Sequence, residues 1–168
     1  CLFLEPIALY HTRGLHQEDD NAWLSGATGD ITTTIGTART HGDGADLTIL
    51  TFANGVPMSL RVAERLRRNH GIRSRVTDLR WLSPLPVEDI VREADATGRV
   101  LVVDETRHTG GVGQHVLAAL VESGYSGRIA RVASHDSFIP LGDAALHVLL
   151  DEATIERRAL DLVQIHTD

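Results

Sequence analysis

The densest run of reactive groups in the chain is Asp104-Glu-Thr-Arg-His-Thr-Gly-Gly-Val-Gly113. Asp104, Glu105, Arg107 and His108 titrate. Gly110, Gly111 and Gly113 come where a loop enters a helix. Backbone N–H groups left bare by glycine at a helix start can hold an anion. The run is therefore a candidate anion-binding or interface loop. The competing reading is a turn that needs small residues beside a neighbouring strand or subunit. The glycine spacing is not the dinucleotide fingerprint, and it comes after a late strand, not the first.

Two other runs sit at strand carboxyl ends, where open parallel sheets place their chemistry. They are Phe52-Ala-Asn-Gly55 and Asp78-Leu-Arg-Trp-Leu-Ser-Pro84. Asp78 and Arg80 make either an interface ion pair, a use that suits arginine, or a solvated one. Gly42-Asp43-Gly44 with Asn69 has the outline of a metal-diphosphate signature, in which Asp and Asn oxygens bind Mg²⁺. Here a strand begins just after Gly44 and Asn69 falls at a helix end, so the two are expected not to meet. The turn is read as a hairpin. His11 and His16 with Glu18, Asp19 and Asp20 have no ligand spacing specific to a metal. Ser126 lacks the second glycine of a nucleophile elbow. Trp23 and Trp81 are read as packing groups. No residue is assigned as catalytic, cofactor-binding or metal-ligating.

Composition narrows the classes. All 16 basic residues are arginine and the net charge is −7. The arginines form no stripe to track a phosphate backbone, which argues against nucleic acid. Without lysine there is no Schiff-base chemistry and no lysine-dependent phosphate loop. Cys1 is the only cysteine, so no internal disulfide forms, and a reducing cytoplasm is the expected compartment. No apolar run approaches the ~20 residues of a membrane span. The start, Cys-Leu-Phe-Leu-Glu-Pro, has no initiator Met and reads as the interior of a longer polypeptide. An apolar share of 42% in 168 residues suits one folded domain.

Periodicity gives the elements that must position these residues. Residues 1–30 are irregular, with Leu2-Phe3-Leu4 as a strand end and 11–30 as a linker. Ile31–Ile35, Leu47–Phe52, Val76–Leu79, Arg99–Val103 and Ile129–Val132 read as strands. Helices are expected over Pro57–Asn69, from Pro84 and Pro86 through Ala94, over Val112–Ser123 and over Ala153–Ile165. Gly71 is placed to end the first of them. Strands alternating with helices imply a three-layer α/β/α domain. Its sheet would be five-stranded and mainly parallel, with Ile31–Ile35 as an antiparallel edge.

Six segments in order resemble the C-terminal domain of the transketolase family. They are similar above all to the beta subunit of 2-oxo acid dehydrogenase first components, the pyruvate, branched-chain and acetoin enzymes. The carrying residues are Phe3-Leu-Glu-Pro6, Ala8-Leu-Tyr10 and Asp46-Leu-Thr-Ile-Leu-Thr51. They continue with Asp78-Leu-Arg80 and Leu82-Ser-Pro-Leu85, then Val102-Val-Asp-Glu105 and Thr109-Gly-Gly-Val-Gly113, and end with His135-Asp-Ser-Phe138 and Ile139-Pro140. Pro86 departs from the family's frequent acidic helix cap. The long 11–30 segment points towards a fused enzyme with alpha-like and beta-like halves.

The resemblance implies that residues 1–30 are a linker and the end of a pyrimidine-binding domain, and that 31–168 are the C-terminal domain. It implies thiamine diphosphate and Mg²⁺ in the parent enzyme but no cofactor contact on this chain. It implies an assembly role: a second copy as a dimer, an alpha-like subunit or further domains of the same enzyme, and the dihydrolipoyl acyltransferase core. By position, the docking surface falls around Glu122, Tyr125 and Arg128 and the last helix. The alternatives are a regulatory module that binds an anion or metabolite on the Asp104–Gly113 loop, and the same domain of a transketolase or deoxyxylulose-phosphate synthase.

Overall fold

The computed structural model describes residues 1–24 and 33–164. Among these residues five strands form one sheet: β1 Arg39–His41, β2 Leu47–Thr51, β3 Ser74–Asp78, β4 Arg99–Arg107 and β5 Arg128–Ser134. Four helices accompany them: α1 Gly55–His70, α2 Val87–Asp95, α3 Val112–Glu122 and α4 Glu152–Gln164. The strand order is β1-β3-β2-β4-β5. Only the β1–β3 pair is antiparallel. The expected α/β class and mainly parallel sheet are thus present.

Alternation along the strands divides the core in two, because successive side chains point to opposite faces. Leu47 and Ile49 of β2 and Leu101 and Val103 of β4 pack with α1 and α4. Leu50 of β2 and Val100 and Val102 of β4 pack with α2 and α3 residues such as Ile90, Val116 and Leu120. Side chains of this size each stabilise by roughly 1.5–3 kcal/mol when fully buried. Gly71 closes α1 with φ 69°, and Ile72 N–H reaches back to the Leu66 carbonyl at 3.2 Å, the left-handed ending that glycine permits.

The edge differs from expectation. The antiparallel strand is Arg39–His41, not Ile31–Ile35. Residues 31 and 32 lie outside the described residues, Ile35 is exposed, and Thr37 N–H bonds back to the Thr34 carbonyl in a turn. Nor is Gly42-Asp43-Gly44 a hairpin, because β1 pairs with β3 and not with β2. The chain crosses the start of β3 so closely that a Cβ on Gly44 would collide with the Arg73 backbone. Arg75 of β3 then ties the crossing down by donating to the Gly44 carbonyl at 2.7 Å and the Asp43 carbonyl at 3.2 Å. Leu2-Phe3-Leu4 is not a strand among the described residues; a 3₁₀ turn, Ile7–Leu9, comes after it.

Candidate functional site

In this strand order β2 runs on to β3 on one side, and β4 to β5 on the other. The crevice between the carboxyl ends of β2 and β4 is therefore the topological switch point. Two of the three expected strand ends meet there. β4 is longer than its apolar run suggests and carries Asp104 and Glu105 inside the strand. Consecutive strand residues face opposite layers, so Asp104 turns towards α3 and Glu105 towards α1.

Asp104 is fully buried. Its Oδ1 accepts the Thr106 N–H at 2.9 Å and the Thr106 hydroxyl at 2.7 Å. Its Oδ2 accepts the Gly113 N–H at 2.6 Å, in the first turn of α3. The Gly110 N–H donates to Gln114 Oε1 at 2.7 Å. A helix start favours a negative charge, and the charge at α3 belongs to the chain itself. This packing accounts for the glycines. A Cβ on Gly111 or Gly113 would lie 2.6 or 2.9 Å from Asp104 Oδ2.

Glu105 faces a looser arrangement. Its Oε1 accepts the Asn54 N–H at 3.4 Å, at the start of α1. α1 has no acidic residue in its first turn and no side-chain cap of its own. Burial pushes the Glu105 carboxyl above the usual carboxylate range, against the opposing pull of Asn54. Asn54 Oδ1 is buried beside it without a hydrogen-bond partner among the described residues.

The rest of the loop is held by β5 and the segment that leaves it. Arg131 donates to the His108 carbonyl at 2.9 Å and lies 3.0 Å from His108 Nε2. Arg107 Nε donates to the Thr109 carbonyl at 3.1 Å. Asp136 accepts the Thr109 N–H at 2.7 Å and its hydroxyl at 2.6 Å, and these bonds hold its carboxyl below the ordinary range. Ser134 Oγ donates to the Glu105 carbonyl at 2.8 Å. The fold thus gathers Asp104 to Gly113 with the His135-Asp-Ser-Phe138 segment.

The third strand end, that of β3, flanks β2 on the side away from β4, where Leu79 N–H donates to the Thr51 carbonyl at 2.9 Å. Asp78 accepts the Arg80 N–H at 3.1 Å, and the two side chains are 3.9 Å apart in a partly exposed pair. Burial raises Asp78 above its usual range and holds His41, on the neighbouring strand, below its own. Gly42-Asp43-Gly44 lies at the opposite, amino end of the sheet. It borders a groove of about 330 Å³ that Asp43 and Arg67 line and Asn69 does not. The end of α1 returns to this same end of the sheet, so the two are nearer than the sequence suggests. The turn's glycine nevertheless serves the backbone crossing over Arg73, and Asp43 and Asn69 do not make a metal-diphosphate cradle. Among the described residues, no group of three His, Cys, Asp or Glu is placed to hold a metal. Asp20 accepts N–H groups of Leu15, His16, Gln17 and Ala22 and so organises its own loop. Those bonds, that of Ala22 foremost, hold it far below the carboxylate range. Ser126 is exposed, and Trp23 and Trp81 are only half-buried, outside both core clusters.

Of the expected docking residues, Glu122 is exposed at the end of α3. Tyr125 is half-buried with its hydroxyl covered, and burial raises its proton affinity. Arg128 opens β5, its N–H on the Gly98 carbonyl at 2.9 Å.

Sheet order, single antiparallel edge and paired helix layers define a three-layer α/β domain with a β2–β4 switch point. Residues 36–158 match the family model of the transketolase C-terminal domain, and the chain belongs to that family. The pyruvate dehydrogenase E1 component subunit beta of Bacillus subtilis (strain 168) is 32% identical over 146 residues, covering 85% of this chain and 42% of that protein. The same subunit of Staphylococcus aureus (strain N315) is 36% identical over 118 residues, 68% of this chain and 36% of that one. The chain therefore spans less than half the length of these relatives. A solved split gene transketolase, described as an inactive beta4 tetramer, is 29% identical with a TM-score of 0.69, covering 82% of this chain and 45% of that one. A 2-oxoglutarate:ferredoxin oxidoreductase from Magnetococcus marinus shares the fold at 16% identity and a TM-score of 0.56, covering 76% of this chain and 20% of that one.

Proposed function

We propose that this chain is the C-terminal assembly domain of a thiamine diphosphate-dependent 2-oxo acid dehydrogenase, and that it performs no catalytic step alone. The observation that carries the reading is the likeness to pyruvate dehydrogenase E1 beta subunits over 85% of the chain. The strand-end geometry supports it. The carboxylates that a catalytic reading would use are engaged with the starts of α1 and α3. In the parent enzyme the cofactor supplies the carbanion chemistry of 2-oxo acid decarboxylation, and the protein supplies position and electrostatics. The acyl group then passes to a lipoyl arm. The partners are an alpha-like subunit or fused half, a second copy, and the dihydrolipoyl acyltransferase core, met around Glu122, Tyr125 and Arg128. A cytoplasmic setting accords with the lone cysteine. No described helix is long and apolar enough to cross a membrane.

Calorimetry of the chain with thiamine diphosphate and Mg²⁺ tests the first part: no saturable heat is expected. Saturable binding lost on Asp43→Ala would overturn it. A second reading, the same domain of a transketolase, is favoured by the likeness to the split gene enzyme. Titration with the purified subunit-binding domain of a dihydrolipoyl acyltransferase separates the two. Binding weakened by Glu122→Arg supports the dehydrogenase, and no binding supports the transketolase.

A further inference from the structure

The segment expected to be a linker carries a closed loop. The Arg13 carbonyl accepts the Trp23 N–H at 3.1 Å, so the ends of residues 13–23 meet, a form that packs on its own side chains. Asp20 ties its turns together. It accepts the N–H groups of Leu15, His16 and Ala22 at 2.8 Å and that of Gln17 at 3.0 Å. Asp19 and Asn21, on either side of it, hold φ at 59° and 51°. A non-glycine residue keeps that left-handed region only where its surroundings impose it. Gly14 passes Gln17 so closely that a Cβ there would lie 2.1 Å from the carbonyl oxygen.

The loop is also seated on the domain. Leu15 and His16 form one wall of the groove of about 330 Å³ that Leu60 and Ala63 of α1 and His41 of β1 line from the other sides. Arg61 of α1 donates to the Leu15 carbonyl at a long 3.5 Å, while its Nε holds Glu152 of α4 at 2.6 Å. One guanidinium thus spans the loop, α1 and α4. We infer that residues 13–23 are a clasp, which fastens the incoming chain to α1 and fixes the path by which it enters the domain. A flexible tether behaves as a random coil; this segment instead bonds its backbone to itself and to Arg61. In the assembly reading the clasp sets how the domain is hung from the rest of the enzyme. The inference goes beyond that reading and stands or falls separately from it.

Limited trypsin digestion of the full chain tests it. The chain has no lysine, and Arg13 is its only arginine before Arg39, so cleavage between Arg13 and Gly14 releases one diagnostic fragment, 1–13. The cleavage rate reports how often the loop opens; the natural chain should be cut there at least ~30-fold more slowly than a synthetic peptide of residues 11–24. Asp20→Ala should speed cleavage roughly tenfold by opening the loop, and Leu15→Asp should do so by unseating it. The melting temperature should be kept in both, because neither residue belongs to the core clusters. Glu18→Ala removes an acid of the same loop that takes none of the Asp20 bonds, and should change nothing. Arg61→Ala should speed cleavage about threefold. Arg65 pairs with Glu152 and Glu156 of α4 instead of the loop, so Arg65→Ala controls for a loosened α4 and should leave cleavage unchanged. A natural chain cut as fast as the peptide overturns the clasp. So does Asp20→Ala or Leu15→Asp cut no faster than the natural chain, or Arg65→Ala cut as fast as Arg61→Ala.

Discussion

Two adjacent carboxylates on β4 serve two helices on opposite faces of the sheet, and they are held very differently. Asp104 is sealed beneath α3 with three short hydrogen bonds, from Thr106 twice and from Gly113. Glu105 reaches α1 through Asn54, whose N–H lies at a long 3.4 Å, and has its proton affinity raised by burial. A buried charge is tolerated where donors converge on it. Where they do not, the charged form is penalised. The Asp-Glu pair is thus one structural device with a tight half and a loose half.

Removing the tight half should cost most. Asp104→Ala leaves the Gly113 N–H unpaired in a buried site and is expected to lose about 3 kcal/mol or more, read from urea unfolding. If the loss were no greater than a surface substitution, the two halves would not differ. Crowding the same carboxylate comes next. Gly113→Ala should cost about 1–3 kcal/mol by overpacking, measured the same way. A neutral result there would mean that the loop gives way.

The loose half should respond weakly and with the opposite sign. Glu105→Gln keeps an acceptor for Asn54 N–H and removes the penalised charge, so stability at neutral pH should change by less than about 1 kcal/mol, in the stabilising direction. Glu105 has its folded value raised above its unfolded one, so it binds more protons when folded. Its favourable contribution is present below the unfolded value and lost as pH rises through the folded one. The advantage of Glu105→Gln over the natural chain should therefore shrink as pH falls into the carboxylate range. An advantage that grows on acidification would reverse the assignment. The smallest effect belongs to Asp136→Asn on the exposed rim. Asp136 has its value lowered, so its contribution is present above the unfolded value and fades as pH falls through the folded one. The melting temperatures of variant and natural chain should converge in acid.

Periodicity makes the sheet and most helices legible, because β2 and the first half of β4 are apolar runs that only a two-sided burial explains. The edge is not legible. Arg39-Thr-His41 pairs on one side only and needs no apolar signature, whereas Ile31–Ile35 looks like a strand by composition. The last part of β4 reads as loop because Asp104 and Glu105 are polar, although their alternation continues that of Val100 to Val103. Asp104 with Thr106 two residues on is the signal that a local side-chain turn offers. The three strand ends stand out in the sequence. That two of them meet depends on strand order, which no local pattern carries. The 136–147 loop carries no burial period because its apolar residues face solvent, so only the resemblance of His135 to Pro140 marks it in the sequence.

Asp104 and Glu105 accept N–H groups at the starts of α3 and α1, and we propose that they leave no anion site at α3. Calorimetric titration of the full chain with inorganic phosphate tests this most directly. The account predicts no saturable heat. Saturable binding abolished by Arg107→Ala would contradict it.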